Sequence, residues 1–62
     1  MEILLVNTSD VQVQPTIVNA ETGQHTEVFI QPKSRVKLPA GFEMDSQWSA
    51  QNPSVKSHTL QN

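Results

Sequence analysis

A hydrophobic alternation interrupted by one tight turn constrains the fold of this chain more than any other feature. Across residues 34–46 (S-R-V-K-L-P-A-G-F-E-M-D-S), apolar and polar positions alternate on both sides of residues 39–41, which is the period of a β-strand rather than of a helix. A three-residue loop with Gly41 in the left-handed conformation closes a β-hairpin. The pattern therefore predicts an antiparallel hairpin in which Leu38 lies opposite Phe42.

The register of this hairpin sorts its side chains onto two chemically different faces. One face is wholly apolar, and the other places Lys37 opposite Glu43 and Arg35 opposite Asp45, which are favourable cross-strand pairs. A register shifted by one residue would lose both charge pairs. The predicted apolar face consists of Val36, Leu38, Phe42 and Met44.

A second hairpin is predicted upstream of the first. Residues 11–19 and 24–31 flank a four-residue loop that ends at Gly23, a common hairpin geometry. Because proline donates no backbone hydrogen bond, Pro15 indicates an edge strand or a bulge. Counting outward from the loop pairs Ile17 with Thr26, Pro15 with Val28, Val13 with Ile30, Val18 with His25, Thr16 with Glu27 and Gln14 with Phe29.

The two ends of the chain also have the pattern of strands. Glu2–Asn7 is apolar on both faces, which suits a strand covered on both sides, either within a compact sandwich or partly by another molecule. Residues 46–50 are expected to continue the strand before them, and no ten-residue window has the period of a helix. Val55–Leu60 is either a final strand or part of an extended C-terminal arm over residues 53–62.

These elements predict one all-β domain over residues 1–62. Five to six short antiparallel strands, built on the two hairpins, form either a small β-sandwich or a small barrel. Both architectures satisfy the same alternation, so the sequence leaves the choice between them open.

The small size of the chain limits the stability of its own core. A chain of 62 residues buries only about 60% of the surface that its unfolded form exposes. It has no cysteine, which excludes disulfides and thiolate metal sites. Small domains without disulfides or a metal commonly rely on a partner surface, so we expect contacts with a protein partner.

The charge balance argues against nucleic acid as that partner. The net charge is −2, with only four basic residues, whereas binding to a phosphate backbone needs clustered Lys and Arg. Lys33, Arg35 and Lys37 alternate and therefore share one strand face. In the predicted register, however, Glu43 and Asp45 lie beside two of them and neutralise most of the stripe.

The sequence contains no recognisable catalytic or cofactor-binding motif. It has no defensible Ser-His-Asp set and no glycine-rich phosphate loop, and His25 and His58 are not spaced as metal ligands. The apolar run at residues 3–6 is too short for a signal peptide or a membrane span. We therefore expect no enzyme activity, no cofactor, no metal and no membrane partner.

Several apolar residues have no place on the two predicted apolar faces, and we assign them to a protein interface. On the N-terminal strand this applies to one side only, either Ile3 with Leu5 or Leu4 with Val6. Trp48 is ambiguous, because a tryptophan in so small a chain is usually part of the core although tryptophan is also enriched among interface anchors. The predicted interface residues are Ile3, Leu5, Val18, Phe29, Trp48 and Leu60.

Residues 28–45, with the pattern V-x-I-x-P-x-S-x-V-x-L-P-A-G-F-E-M-D, resemble small accessory proteins of tailed-phage virions, the decoration or cement proteins of the capsid lattice. The resemblance implies a structural subunit that binds a major capsid protein or another virion protein, as a homo-oligomer or a lattice and without a cofactor. It also implies a location in the virion, assembled in the host cytoplasm. It is a resemblance of fold style, so no residue role transfers by motif.

A second class of function remains open. The chain is alternatively a small soluble regulator of phage type or a nucleic-acid-binding β-barrel, located in the cytoplasm. That hypothesis predicts a stable free monomer. For nucleic acid, it also predicts salt-dependent binding that is lost when Lys33 and Arg35 are changed.

Overall fold

The structure of the protein is a computed structural model that describes residues 2–60. This part of the chain contains six short strands and one short helix, joined by turns and loops. In chain order they are β1 (Glu2–Asn7), β2 (Thr16–Asn19), β3 (His25–Glu27), β4 (Arg35–Lys37), β5 (Phe42–Met44), α1 (Ser46–Gln51) and β6 (Val55–Leu60). No helix in this part is long and apolar enough to cross a membrane.

The strands form two separate three-stranded antiparallel sheets. One sheet has the strand order β4–β1–β6 and the other the order β3–β2–β5. The all-β prediction is confirmed. Within residues 2–60 the architecture is a sandwich of two sheets and not a closed barrel. Between the sheets lies one small hydrophobic core, whose buried members are Leu5, Leu38, Val55, Ile17 and Ile30.

The hairpin formed by β2 and β3 has the predicted register. Thr16 pairs with Glu27, Ile17 with Thr26 and Val18 with His25, and an isolated bridge joins Val13 to Ile30. Gly23 has the positive φ of +76° that its loop position requires. The register was predictable because a short loop determines which residues of its own two strands are opposite.

Residues 34–46 do not form the predicted hairpin. The turn is present, with the Phe42 amide donating to the Pro39 carbonyl at 3.1 Å and Gly41 at φ +87°. However, β4 pairs with β1 and β5 pairs with β2, so the chain crosses here from one sheet to the other. The four predicted apolar residues still reach the core, but from two sheets: Leu38 is buried there, and Val36, Phe42 and Met44 pack against it.

The strand predicted after Met44 is wrong, because Ser46–Gln51 is helix α1. Asp45 is its N-cap and accepts a hydrogen bond from the Trp48 amide at 3.1 Å, which satisfies a donor that the first turn leaves free. At the other end, the Asn52 side chain donates to the Trp48 carbonyl at 2.8 Å. These caps stabilise a helix of six residues, shorter than a ten-residue window detects.

The C-terminal segment forms a strand of the sandwich. All six residues of β6 are paired with β1, from Glu2 opposite Leu60 to Asn7 opposite Val55. Of the two alternatives for this segment, residues 55–60 therefore form the last strand and not an extended arm. Residues 61 and 62 of the predicted arm lie outside the described part of the chain.

Candidate interaction surfaces

Three of the predicted interface residues are directed toward the core. The Leu5 side chain is 0% exposed, so it offers no surface to a partner and has a core role instead. Ile3 and Trp48 are partly buried and pack against the same core. Because β1 is apolar on both faces, its sequence left open which side is available to a partner. In the structure Ile3 and Leu5 point inward.

The other three predicted interface residues retain exposed surface but do not lie together. Phe29 is 61% exposed, and Val18 and Leu60 are partly buried. Val18 belongs to β2 in one sheet and Leu60 to β6 in the other. The six residues therefore do not form one patch, and the interface role of these three stays a prediction.

The outer face of the β4–β1–β6 sheet is basic with an aliphatic centre. Since Leu5 points into the core, the alternation of β1 directs Leu4 and Val6 outward, and both are half-buried. The register places a basic residue or a histidine beside each of them on either neighbouring strand. We call this surface the basic face; its members are Leu4, Val6, Arg35, Lys37, Lys56 and His58.

Little of the positive charge on the basic face is neutralised locally. Lys37 contacts Glu2 at 3.1 Å, but within residues 2–60 neither Arg35 nor Lys56 forms an ion pair with a carboxylate. The prediction that Glu43 and Asp45 lie beside this stripe is wrong, because β4 and β5 are in different sheets.

Lys33 takes no part in the basic face. It lies in the turn before β4, where its ammonium group donates to the Thr8 carbonyl at 2.9 Å and contacts Asp10 at 3.5 Å. The third cation of the face is Lys56 on β6. Sequence reasoning missed it because β6 is distant in the chain, although Lys56 and His58 alternate in the same way as Arg35 and Lys37.

The outer face of the β3–β2–β5 sheet is acidic. Ile17 points into the core, so its neighbours Thr16 and Val18 point outward. Glu27 and His25 lie beside them on β3 and Glu43 on β5. Asp45, whose amide donates to the Thr16 carbonyl at 2.9 Å, continues this face. We call this surface the acidic face; its members are Thr16, Val18, His25, Glu27, Glu43 and Asp45.

The sandwich therefore has outer faces of opposite charge. With both histidines counted as neutral, three cations and Glu2 give the outer surface of the β4–β1–β6 sheet a charge of +2. Three carboxylates give the acidic face −3. The only charge contact of the acidic face within residues 2–60 is between His25 Nε2 and Asp45 at 3.8 Å.

A cleft beside α1 has little chemical character. It has a volume of about 500 Å³ and is lined by three aliphatic residues, three serines and Glu43. No group of three His, Asp or Glu side chains suited to a metal ion occurs in the part of the chain that the structure describes. The two charged faces are thus the most distinctive surfaces of the molecule.

Comparisons of this chain with protein-family models, with curated proteins and with solved structures find no match. The assignment of function therefore depends on the chemistry of the two faces.

Proposed function

We propose that the protein is a non-catalytic structural subunit that binds another protein in an assembly through its basic face. The resemblance of residues 28–45 to virion accessory proteins suggests a capsid or a similar assembly as the setting. The observation that carries the proposal is the basic face itself, an aliphatic centre bordered by three cations, of which only Lys37 contacts a carboxylate within residues 2–60.

The chemistry of this face supports binding to a protein. Leu4 and Val6 retain accessible apolar surface, and its removal from water is worth about 25 cal/mol per Å². Arg35 and Lys56 on either side of Val6 provide charges that orient a partner and exclude wrong ones. A face of this kind fits an acidic protein surface with an apolar centre.

The small core limits the stability of the free chain, which binding to a partner would increase. Only five hydrophobic residues among residues 2–60 are buried, while Phe29 and Val11 are more than 60% exposed. Any partner that binds only the folded state stabilises that state by mass action. An assembly would therefore add stability that so small a core does not provide.

A protein partner is favoured over single-stranded nucleic acid. Proteins that bind single strands stack bases on aromatic side chains beside a basic groove. The three aromatic residues of the chain lie elsewhere: Phe42 and Trp48 pack on the core, and Phe29 follows β3 in the other sheet. The basic face supplies charge but no stacking platform.

Site-specific photo-cross-linking in the source cells tests the proposal. A photoreactive amino acid replaces Val6 at the centre of the basic face, and a control places it at Gln24, which is exposed in the β2–β3 loop. We expect discrete protein adducts from position 6 and few or none from position 24. The adducts should be lost when Arg35 and Lys56 are both changed to serine.

The identity of the adduct separates the candidate functions. A structural protein of an assembly, including a further copy of this chain, supports the proposal. A host enzyme as the main adduct indicates a soluble regulator, and adducts with nucleic acid indicate a nucleic-acid-binding protein. Equal and diffuse labelling from positions 6 and 24 would mean that the basic face binds nothing specific.

A further inference from the structure

The two charged faces have the same arrangement of positions. In each sheet the central strand presents two neutral side chains, and each neighbouring strand places one residue beside each of them. The rows of the basic face are Arg35, Val6, Lys56 and Lys37, Leu4, His58. The rows of the acidic face are Glu27, Thr16, Asp45 and His25, Val18, Glu43.

The spacing of the charges is also shared, because both faces belong to β-sheets. Neighbouring strands are about 4.8 Å apart, so the two outer members of a row are separated by about 10 Å. Successive outward residues on one strand are about 7 Å apart. Three cations on one face and three carboxylates on the other therefore occupy comparable positions.

We propose that the basic face of one copy of this chain docks on the acidic face of a second copy, so that copies associate head to tail. The inference rests on the proposed function, because it names the partner of the same basic face. The surface that carries Arg35, Lys37 and Lys56 then faces the surface that carries Glu27, Glu43 and Asp45, and the neutral side chains of the two central strands face each other.

The size of the molecule is compatible with this association. The chain has 4223 Å² of accessible surface, so an interface of about 800 Å² per partner would cover roughly a fifth of it. Each copy uses two different surfaces, which makes the contact heterologous. Such contacts close into a ring or extend into a filament, depending on the rotation between copies.

Charge favours this arrangement over the symmetric one. Two basic faces placed together would bring Arg35 and Lys56 against like charges, and two acidic faces would do the same with Glu27 and Glu43; such contacts are costly. Head-to-tail docking brings surfaces of opposite charge together and uses both faces of each copy.

Sedimentation velocity of the full chain tests the proposal, at concentrations up to about 1 mM and at roughly 0.02 M salt, where screening is weak. One variant, Arg35→Glu with Lys56→Glu, makes both faces acidic. The other, Glu27→Lys with Glu43→Lys, makes both faces basic. The control, Asp10→Lys with Glu21→Lys, makes the same change in net charge as the second variant, but in exposed loops outside both faces.

We expect the parent and the control to associate with rising concentration. Each face variant alone should bind itself at least about tenfold more weakly, with circular dichroism confirming that it is folded. Mixed together, the two variants keep one parental pair of faces and also present their two altered faces, now of opposite charge, to each other. The mixture should therefore associate although neither variant does so alone.

Three results would overturn the head-to-tail proposal. The first is a parent chain that stays monomeric at every concentration, whether or not it binds a mixed-sequence oligonucleotide. The second is a folded face variant that associates as tightly as the parent. The third is a mixture of variants that stays monomeric although the parent associates. A monomeric parent whose Val6 position still cross-links to a different structural protein would refute this inference and leave the proposed function standing.

Discussion

The Asn7 side chain joins three parts of the chain at the end of β1. It is 0% exposed, and its amide nitrogen donates to the carbonyl oxygens of Val11, Ile30 and Gln31 at 2.8–3.2 Å. Its oxygen accepts from the Ser9 amide at 3.0 Å. A buried amide that satisfies this many backbone groups specifies how the loops meet β1.

Changing Asn7 to alanine should lower the free energy of unfolding by about 2–3 kcal/mol, because it removes the buried amide group that donates to three backbone carbonyls and accepts from the Ser9 amide. Urea denaturation followed by Trp48 fluorescence measures the loss. Asn19→Ala is the matched control, since the side-chain oxygen of Asn19 accepts only from exposed amides of its own loop. This substitution should cost about 1 kcal/mol or less. Equal losses for the two variants would contradict the role given to Asn7.

At the scale of single elements, a sequence pattern predicts well which face of a strand is buried. It predicts less well which other strand that strand pairs with. The β2–β3 register followed from a local loop, and it is confirmed. The apolar residues of β4 and β5 were correctly assigned to one core, but their partners β1 and β2 are distant in the chain. Alternation carries no information about such distant pairing.

Helix α1 shows a different limit of prediction. Its start at Asp45 and its end before Asn52 and Pro53 are ordinary helix boundary signals. Its six residues are fewer than two helical turns, so no periodicity is visible. Capping residues were the signal that identifies this helix in the sequence.

The N-cap makes a measurable contribution to stability. Asp45→Ala removes the acceptor of the Trp48 amide and the contact with His25, so we expect the free energy of unfolding to fall by about 1 kcal/mol. Chemical denaturation measures it. Gln47→Ala, at an exposed helix position, should change stability by less than about 0.5 kcal/mol. If Asp45→Ala is as neutral as this control, the cap does not stabilise α1.

At the scale of the whole molecule, the distribution of charge matters more than its sum. The net charge of −2 hides a basic outer face and an acidic one, and only the sheet order reveals them. The sequence supplied the alternation of Arg35 with Lys37 and of Lys56 with His58, but not the fact that β1 lies between them. The candidate surface therefore depended on non-local pairing that a single sequence does not specify.

The most direct test of head-to-tail association through the two charged faces is an NMR dilution series of the parent chain at low salt. Backbone amide shifts are followed as the concentration rises toward about 1 mM. We predict that residues of both faces shift together, Val6 and Lys56 on one and Val18 and Glu43 on the other, while the exposed Glu21 loop does not. Shifts confined to one face, or no shifts at all, would contradict head-to-tail association.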